Sequence, residues 1–364
     1  SNCRCWAARP GRRRCAPDAR YRLCKKRRSR VCRVDIRDAP SSPEFVNLRE
    51  GCGPRFILTV DTEEEFDWRA PLTRDQHGVA TLPALATFQR FCEDHGVVPI
   101  YLVDYPVAVA PQAAEALGEA IAAGRAEVGV QLHPWVSPPF EEEVCERNSY
   151  AGNLPEPLER AKFTRLRDAI EGNLGARPLI YRAGRYGVGP NTAAILSDCG
   201  IVFDTSVRAH FDYGAAGGAN YRHHPLRPYW LDRARGLVEL PLTTVFWGPL
   251  RRLGRALYPL LWRLPRLRGV LSRLGLLERI PLTPEGTTAA EAIRGIDTAL
   301  ADGLPVLVLS FHSPSVAPGH TPYVRDEADL AAFYDWWRQV FAHLARRGVA
   351  PSSVADLTRS LALA

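Results

Sequence analysis

Residues 55–68 read RFILTVDTEEEFDW, and this stretch decides the fold of the chain. Its first part, residues 56–60, is a run of apolar and β-branched side chains that is too short for a helix and predicts a buried strand. Five carboxylates then follow within seven positions. Ionised groups cannot share the interior with such a strand, so the chain must emerge from the core at Asp61.

Asp61 and Glu63 are two residues apart on this segment, and an extended chain points such side chains in the same direction. This arrangement suits a site in which one carboxylate binds a cation and the other handles a proton. In an α/β protein, such a site lies at the carboxyl ends of the strands. Taken alone, the stretch fits a solvated acidic loop equally well.

The charge of the chain is unevenly distributed. Of 364 residues, 47 are Lys or Arg and 40 are Asp or Glu, which gives a net charge of +7. Residues 1–50 hold 15 basic and 5 acidic side chains, and residues 250–279 hold 8 and 1. The remainder holds 24 and 34, so the body is acidic and we expect no nucleic-acid partner.

Residues 1–53 are predicted to be a basic leader that is disordered or not part of the functional protein. This segment holds six of the nine cysteines and has no helical or strand periodicity. Its cysteines form no pair of C-x2-C knuckles, which argues against a zinc module. No segment has the long apolar run of a signal peptide or membrane span, so a cytoplasmic location is expected.

Residues 54–364 alternate between strand and helix signals and are predicted to form one domain. Because 46% of the whole chain is hydrophobic, it can bury a large core. Such alternation implies a parallel sheet, and a domain of this size favours a closed or nearly closed (β/α) barrel. Apolar runs predict strands at 56–60, 97–103, 127–132, 179–182, 201–204, 237–240 and 306–311. Helices are predicted between them, including 112–123, 191–199, 287–300 and 326–347.

A basic insertion interrupts the alternation at about residues 247–281. Its leucines recur at helical spacing on one face, its arginines lie off that face, and two prolines break the run into pieces. Packing on the barrel is the first interpretation. Peripheral membrane contact through residues 250–279, or contact with a protein partner, is the alternative.

Polar side chains follow several predicted strands. Gln131, His133 and Trp135 come after one strand, Arg182 ends the next, and His312 follows the late apolar strand. Each has an ordinary structural explanation by itself, such as a core histidine or an ion-pair partner. Together with Asp61, they would place carboxylates, imidazoles and a guanidinium around one rim, which is typical of an enzyme.

Six segments carry a family resemblance. They are LTVDTEEEFDW at 58–68, EVGVQLHPW at 127–135, YRAGRYG at 181–187, CGIVFDTSV at 199–207, VELP at 238–241 and LSFHSPS at 309–315. Their order resembles that of the polysaccharide deacetylases (NodB-homology, carbohydrate esterase family four), and more narrowly the WalW-like branch. The resemblance implies a distorted (β/α) barrel, a divalent metal, commonly zinc, and removal of N-acetyl groups from a carbohydrate in bacterial surface polysaccharide metabolism.

The resemblance also implies roles for individual residues. Asp61 matches the base that takes a proton from the attacking water, and Arg182 matches the arginine that pairs with this base. His312 matches the general acid that protonates the departing amine. Glu63 and His133 match metal ligands.

The sequence departs from the family pattern at Gln131, which stands where a second metal-binding histidine is usual. A neutral amide is a poorer zinc ligand than an imidazole. The set could be completed by another histidine, and an ion that prefers oxygen ligands could replace zinc. The histidines considered are His312, His320, His223 and His224.

Substrate contacts are predicted at the strand ends. Trp135, Tyr186 and Trp247 could provide apolar walls for a sugar ring, and Arg185, next to Tyr186 in the sequence, is also predicted to bind substrate. The alternative to an enzyme is a catalytically weak or inactive member of the fold that binds a glycan or a partner through the same cleft. The sequence leaves the oligomeric state open.

Overall fold

Eleven strands lie in the described part of the chain. A computed structural model gives the structure of residues 34–67 and 70–361. The strands are β1 (Arg55–Thr62), β2 (Ile100–Val103), β3 (Glu127–Leu132), β4 (Ile180–Ala183), β5 (Phe203–Asp204), β6 (Tyr229–Asp232), β7 (Leu237–Glu239), β8 (Thr244–Trp247), β9 (Glu278–Pro281), β10 (Val306–His312) and β11 (Ala350–Pro351).

Ten α-helices connect these strands or flank them within the described residues. They are α1 (Leu82–Asp94), α2 (Tyr105–Val109), α3 (Pro111–Ala122), α4 (Glu156–Leu174), α5 (Thr192–Asp198), α6 (Gly254–Trp262), α7 (Pro265–Arg273), α8 (Ala289–Ala301), α9 (Glu327–Arg346) and α10 (Val354–Ser360). Short 3-10 helices follow three strands directly, at Pro134–Val136, Gly184–Tyr186 and Ser313–Val316. No described helix is long and apolar enough to cross a bilayer.

The sheet is a curled half-barrel of mostly parallel strands, which confirms the predicted distorted (β/α) barrel. Its strand order is β10-β1-β2-β3-β4-β5-β7-β6, and β6 pairs antiparallel at the edge. Neighbouring segments cover the outer edge of β10: Thr243 N donates to Val308 O (3.3 Å), and Ser310 N donates to Leu282 O (3.2 Å). The edge strands β10 and β6 do not pair with each other, so the described strands form an open rather than a closed barrel.

Strand β1 lies next to the edge strand β10 and pairs with β10 on one side and β2 on the other. Side chains alternate along it: Phe56 and Leu58 pack in the main apolar cluster, whereas Ile57 packs in a second cluster with residues of β2, β4 and β10. Continuing the same alternation, Thr59 and Asp61 follow Ile57 on one face. The chain thus turns from apolar to polar along that face as it reaches the site.

The packed part of the chain begins earlier than the boundary predicted at residue 53. Residues 1–33 lie outside the described residues. Ile36 and Val46 are buried, at 1% and 2% exposed, and the Val46 N–H donates to Pro228 O (2.9 Å). Because apolar side chains of residues 34–53 are buried against later segments, that part of the predicted leader belongs to the folded body.

The basic insertion consists of helices α6 and α7, flanked by the antiparallel pair of β8 and β9. A small apolar cluster joins Phe246 of β8, Leu261 of α6 and Leu277. The insertion therefore packs through a few side chains, although much of its apolar surface remains exposed.

Candidate active site

One cavity of about 520 Å³ lies at the carboxyl ends of β1, β3, β4 and β10. All residues predicted to act in catalysis, metal binding or substrate binding line this cavity, apart from Trp247. They are Asp61, Glu63, Gln131, His133, Trp135, Arg182, Arg185, Tyr186 and His312. The sequence pattern alone placed polar groups at these strand ends, and parallel pairing turns that pattern into one site.

Asp61 is held by Arg182, and both side chains are buried. The Arg182 Nη1 donates to Asp61 Oδ1, its Nη2 donates to Thr59 Oγ1 (2.9 Å), and its Nε donates to Thr205 O (3.1 Å). Arg182 is 1% exposed and Asp61 is 2% exposed. The guanidinium balances the charge of the carboxylate and fixes its direction, so one oxygen of Asp61 remains directed toward His312.

His312 stands opposite Asp61 and is held by Glu285. The His312 Nε2 is 3.7 Å from Asp61 Oδ2, and its Nδ1 is 2.6 Å from Glu285 Oε2. Burial alone would lower the pKa of His312, but the charges of Glu285, Glu63 and Asp61 raise the pKa to about 10. His312 is therefore an imidazolium at neutral pH and can give up a proton from Nε2.

Glu63, Gln131 and His133 form a second group in the cavity. Glu63 Oε2 lies 3.5 Å from His133 Nε2 and 3.4 Å from Gln131 Nε2. Burial raises the pKa of Glu63 to about 8, against the opposing charge of His312. The buried Oε1 atom of Gln131 has no hydrogen-bond partner among the described residues. Glu63 Oε2 and His133 Nε2 are thus two potential ligand atoms close together, with the Gln131 amide beside them.

Two further carboxylates support His133 from behind. The His133 Nδ1 is 2.8 Å from Glu64 Oε2, and the Glu64 N–H donates to Asp104 Oδ2 (2.7 Å). The other Glu64 oxygen accepts the indole N–H of Trp135 (2.9 Å). With Nδ1 donating to Glu64, the Nε2 of His133 carries a lone pair that points toward Glu63.

Glu64, Asp104 and His133 also offer ligand atoms that lie within 4.8 Å of one another and could hold a metal ion. These groups already satisfy each other, and the Asp104 side chain also accepts the Val107 N–H (3.0 Å) at the start of α2. A carboxylate on the Nδ1 of a histidine is the usual support for a histidine that binds metal through Nε2. We therefore interpret Glu64 and Asp104 as supports for His133.

Trp135 and Tyr186 line the cavity, but Trp135 is only 3% exposed. Its ring stacks on His133 with centroids 4.4 Å apart. Together with its bond to Glu64, this contact orients the imidazole. The predicted contacts of Trp135 and Tyr186 with a sugar ring stay predictions.

Arg185 lies at the rim of the cavity in the short helix after β4. Its Nη1 donates to Ser149 Oγ (2.5 Å), and its Nη2 is 3.0 Å from Glu146 Oε1. Arg185 and Tyr186 both have positive φ, at 53° and 59°, which is uncommon for residues with a Cβ. Such strain clusters at functional sites, where the surrounding structure holds it in place.

The structure places four other residues from the sequence analysis outside the residues that line this cavity. His320 Nδ1 is 3.5 Å from Glu65, His224 Nε2 is 3.0 Å from Ile36 O, and Trp247 lies under Arg294 at 4.6 Å. His223 is exposed. These histidines do not join the metal-ligand group, and Trp247 is no wall of the cavity.

Sequence reasoning missed the supporting carboxylates Glu64, Asp104 and Glu285. Asp104 follows Leu102 of β2 by two residues, as Asp61 follows Thr59 in β1, so the same strand-end signal could have found it. Glu64 was visible only as part of an acidic run. Glu285 lies in a loop after β9, a strand that the sequence pattern did not predict, and no local signal points to it.

Comparisons with known proteins give structural likeness only. No family model matches the sequence, and no curated protein matches it. A protein from Mycobacterium smegmatis described as a polysaccharide deacetylase is 18% identical, with 86% of this chain and 98% of that chain covered and a TM-score of 0.45. A family 4 carbohydrate esterase from Streptomyces lividans, solved with acetate, is 12% identical, with 86% and 99% covered and a TM-score of 0.41.

A family 4 pseudoenzyme from Bacillus anthracis is 8% identical, with 87% of this chain and 69% of that chain covered and a TM-score of 0.41. The similar structures thus include carbohydrate esterases as well as a pseudoenzyme of the same family. At these identities and scores they say nothing of the activity of this chain.

Proposed function

We propose that this chain is a metal-dependent hydrolase that removes N-acetyl groups from a carbohydrate in bacterial surface polysaccharide metabolism. One observation carries the proposal: Asp61 Oδ2 and His312 Nε2 face each other at 3.7 Å in one cavity, and each is held by its own charged partner. A fixed carboxylate and a fixed imidazolium on one cleft are what amide hydrolysis requires of a base and an acid.

The proposed reaction divides between these two groups. Asp61 takes a proton from water as the water oxygen bonds to the acetyl carbon. His312 then donates its Nε2 proton to the sugar nitrogen as the carbon–nitrogen bond breaks, which leaves acetate and a free amine. Arg182 keeps Asp61 in place throughout, and Glu285 keeps the imidazole directed at the leaving nitrogen.

The second group of the cavity fits a divalent metal. The bare Nε2 of His133 and the carboxylate of Glu63 are both acceptors, so they need a cation or a proton between them. Gln131, whose amide lies 3.4 Å from Glu63 through Nε2, has an unpartnered Oε1 that is a candidate third ligand atom. When bound by Glu63, His133 and Gln131, a divalent metal would polarise the acetyl carbonyl and stabilise negative charge on its oxygen. We propose zinc first, with an ion that prefers oxygen ligands as the alternative.

The proposal extends to the finer family assignment. The six motifs quoted between residues 58 and 315 favour the WalW-like branch. The cytoplasmic location stays a prediction.

A second candidate function is a catalytically weak or inactive protein that binds a glycan in the same cleft. The observation that favours it is Gln131, because an amide oxygen replaces a stronger imidazole ligand and leaves two strong ligands. Metal affinity separates the two candidates, since a glycan-binding cleft needs no tightly held ion.

The test combines metal analysis with acetate release from a panel of N-acetylated sugars. The hydrolase proposal expects about one divalent ion per chain and acetate release that chelation abolishes. His133→Ala should lose both the ion and the activity. His320→Ala is the matched control, because His320 lies outside the cavity-lining residues, and it should keep both. Metal-free protein that releases no acetate yet binds a glycan would establish the second candidate instead.

A further inference from the structure

The insertion of α6 and α7 carries most of the exposed large apolar side chains of the described chain. Seven of the eleven in the described residues fall between Leu253 and Leu274. They are Leu253 (54% exposed), Leu260 (60%), Trp262 (60%), Leu264 (53%), Leu267 (46%), Val270 (48%) and Leu274 (65%). Single exposed leucines are ordinary, but a contiguous segment of this kind marks an interaction surface.

The same segment is strongly basic. Residues 250–279 hold eight arginines and one glutamate. Arg251 pairs with Asp302 through two contacts of 2.8 and 2.9 Å. Within residues 34–67 and 70–361, the other seven arginines have no carboxylate within 4.0 Å. Apart from Arg251, the arginines of this segment therefore present positive charge that has no acidic partner within 4.0 Å among the described residues.

A second cavity, of about 540 Å³, lies between α6 and the segment that contains Arg208 and His210. Arg279 lines it and stacks on Phe211 (3.6 Å) and Tyr258 (4.5 Å). The other cationic side chains that line it are Arg208, Arg222, Arg255 and Arg263, and the exposed Trp262 joins it to the surface of the insertion. Among these, Arg222 has Asp212 at 3.5 Å.

His210 gives the second cavity an independent feature. Its side chain is buried, at 8% exposed, it lines the cavity, and its Nδ1 has no hydrogen-bond partner among the described residues. It also has a positive φ of 71°. Burial, with the charges of Arg255 and Arg279, lowers the pKa of His210 to about 3. The ring of His210 is therefore neutral, and it is the guanidinium groups walling the cavity that indicate an anionic ligand.

We propose that the insertion docks on a membrane surface rich in anionic phospholipid, with its exposed leucines and Trp262 in the lipid and a lipid phosphate in the arginine cavity. Guanidinium groups bind phosphate through paired N–H donors, and apolar side chains beside basic ones are the pattern of helices that lie in the membrane interface. No described helix can span a bilayer, so the contact is peripheral. An acidic protein partner would satisfy the charge but not this density of exposed leucine and tryptophan.

The inference is independent of the proposed hydrolase activity, because vesicle binding is measured without turnover. The full chain is mixed with vesicles of phosphatidylcholine alone, or of phosphatidylcholine with phosphatidylglycerol, and sedimented. We expect binding to the anionic vesicles only, weakened by added salt.

Two double variants with reversed charges distinguish an effect of this surface on vesicle binding from an effect of the total charge of the protein. Arg255→Glu with Arg263→Glu removes two exposed arginines that line the cavity. At about 1 kcal/mol for each basic residue near an anionic surface, binding should fall by at least roughly thirtyfold. Arg90→Glu with Arg338→Glu makes the same change in net charge on α1 and α9 and should leave binding within about twofold. Equal losses in both pairs, or no loss in either, would overturn the proposal.

A third variant tests the apolar part of the surface at constant charge. Leu260→Gln with Leu264→Gln removes two exposed leucines and should also release the protein from anionic vesicles. A separate measurement with inorganic phosphate distinguishes binding of a free anion from binding of a lipid headgroup. If it binds the chain in a calorimeter while vesicles do not, the cavity takes free phosphate and the lipid proposal is wrong. Undiminished vesicle binding by the leucine variant would equally refute insertion.

Discussion

The charge of Glu285 is predicted to set the protonation state of His312. In the structure the Glu285 Oε2 is 2.6 Å from His312 Nδ1, and its Oε1 accepts the backbone N–H of His312 (3.1 Å) and the hydroxyl of Ser315 (2.8 Å). Glu285→Gln keeps the size and an acceptor oxygen but removes the negative charge. The pKa of His312 should therefore fall without a large change in the position of the ring.

The magnitude follows from the contact distance. An opposite charge within hydrogen-bond reach shifts a pKa by roughly 1 to 3 units, which corresponds to ~1.4–4 kcal/mol between the two protonation states. Starting from about 10, the pKa of His312 should fall to roughly 7 to 9 in the variant. Asp61, at 3.7 Å from Nε2, still favours the imidazolium, so the pKa should stay above its ordinary value.

The sign of the stability effect follows as well. Because the pKa of folded His312 is raised, its imidazolium stabilises the fold fully below the unfolded pKa, and this contribution is lost as the pH rises through about 10. In Glu285→Gln the loss should begin at lower pH. Under the proposed function, the alkaline fall in acetate release should move in the same direction.

The direct assay is an NMR titration of the His312 ring nitrogens in chelator-treated protein. Asp297→Asn is the matched control, because Asp297 Oδ1 lies 2.9 Å from His343 Nε2 and neither residue lines the cavity. It should leave the titration of His312 unchanged. If Glu285→Gln leaves the pKa of His312 unchanged, or raises it, the electrostatic account of this pair is wrong.

Three further perturbations test the site and the boundary of the folded body. Asp61→Asn should lower acetate release by roughly 10²- to 10⁴-fold, and unchanged turnover would exclude Asp61 as the base. The same substitution should lower the free energy of unfolding, measured in urea, by roughly 3 kcal/mol, because the buried guanidinium of Arg182 loses its counter-charge. A chain that lacks residues 1–53 should be less stable than a chain that lacks residues 1–33 alone. The expected difference is roughly 3–6 kcal/mol, for the two buried side chains of Ile36 and Val46. Equal unfolding midpoints would show that these contacts contribute nothing. A Cβ on Gly184 would lie 2.3 Å from the ring of His133, so Gly184→Ala should lower the free energy of unfolding by roughly 1–3 kcal/mol and weaken metal binding in a dialysis assay. Gly172→Ala, on an exposed helix face, is the control and should slightly raise stability. Equal effects of the two substitutions would refute the packing argument.

The sequence predicted the residues that line the cavity better than the carboxylates that hold them in place, because alternation along a strand is a local signal. In β1, β4 and β10 the apolar residues Ile57, Ile180 and Val308 lie in the second apolar cluster, and the polar residues Asp61, Arg182 and His312 follow at even spacing. A period of two therefore predicts which side chains share a face. Parallel pairing then brings the ends of these strands to one edge.

The parts that the sequence did not predict depend on long-range contacts. Glu285 reaches His312 from a loop 27 positions earlier, after a strand that pairs only with β8. The segment around Ile36 is buried by residues such as His224, which bonds its carbonyl oxygen across 188 positions. Composition alone made that segment resemble the basic leader, since a few apolar side chains among many polar ones carry no periodic signal.

The charge balance of the cavity bears on which candidate function the structure favours. Asp61 has Arg182, and Glu285 has His312, so these carboxylates each have a cation. Three buried carboxylates remain around one imidazole, that of His133, and they are Glu63 (4% exposed), Glu64 (0%) and Asp104 (0%). Burial raises the pKa of all three. Burying such groups destabilises the fold unless protons or a cation compensate them, and a cleft that only held a neutral glycan would gain nothing from them. Under the proposed function, a divalent ion bound by Glu63 and His133 would offset this cost.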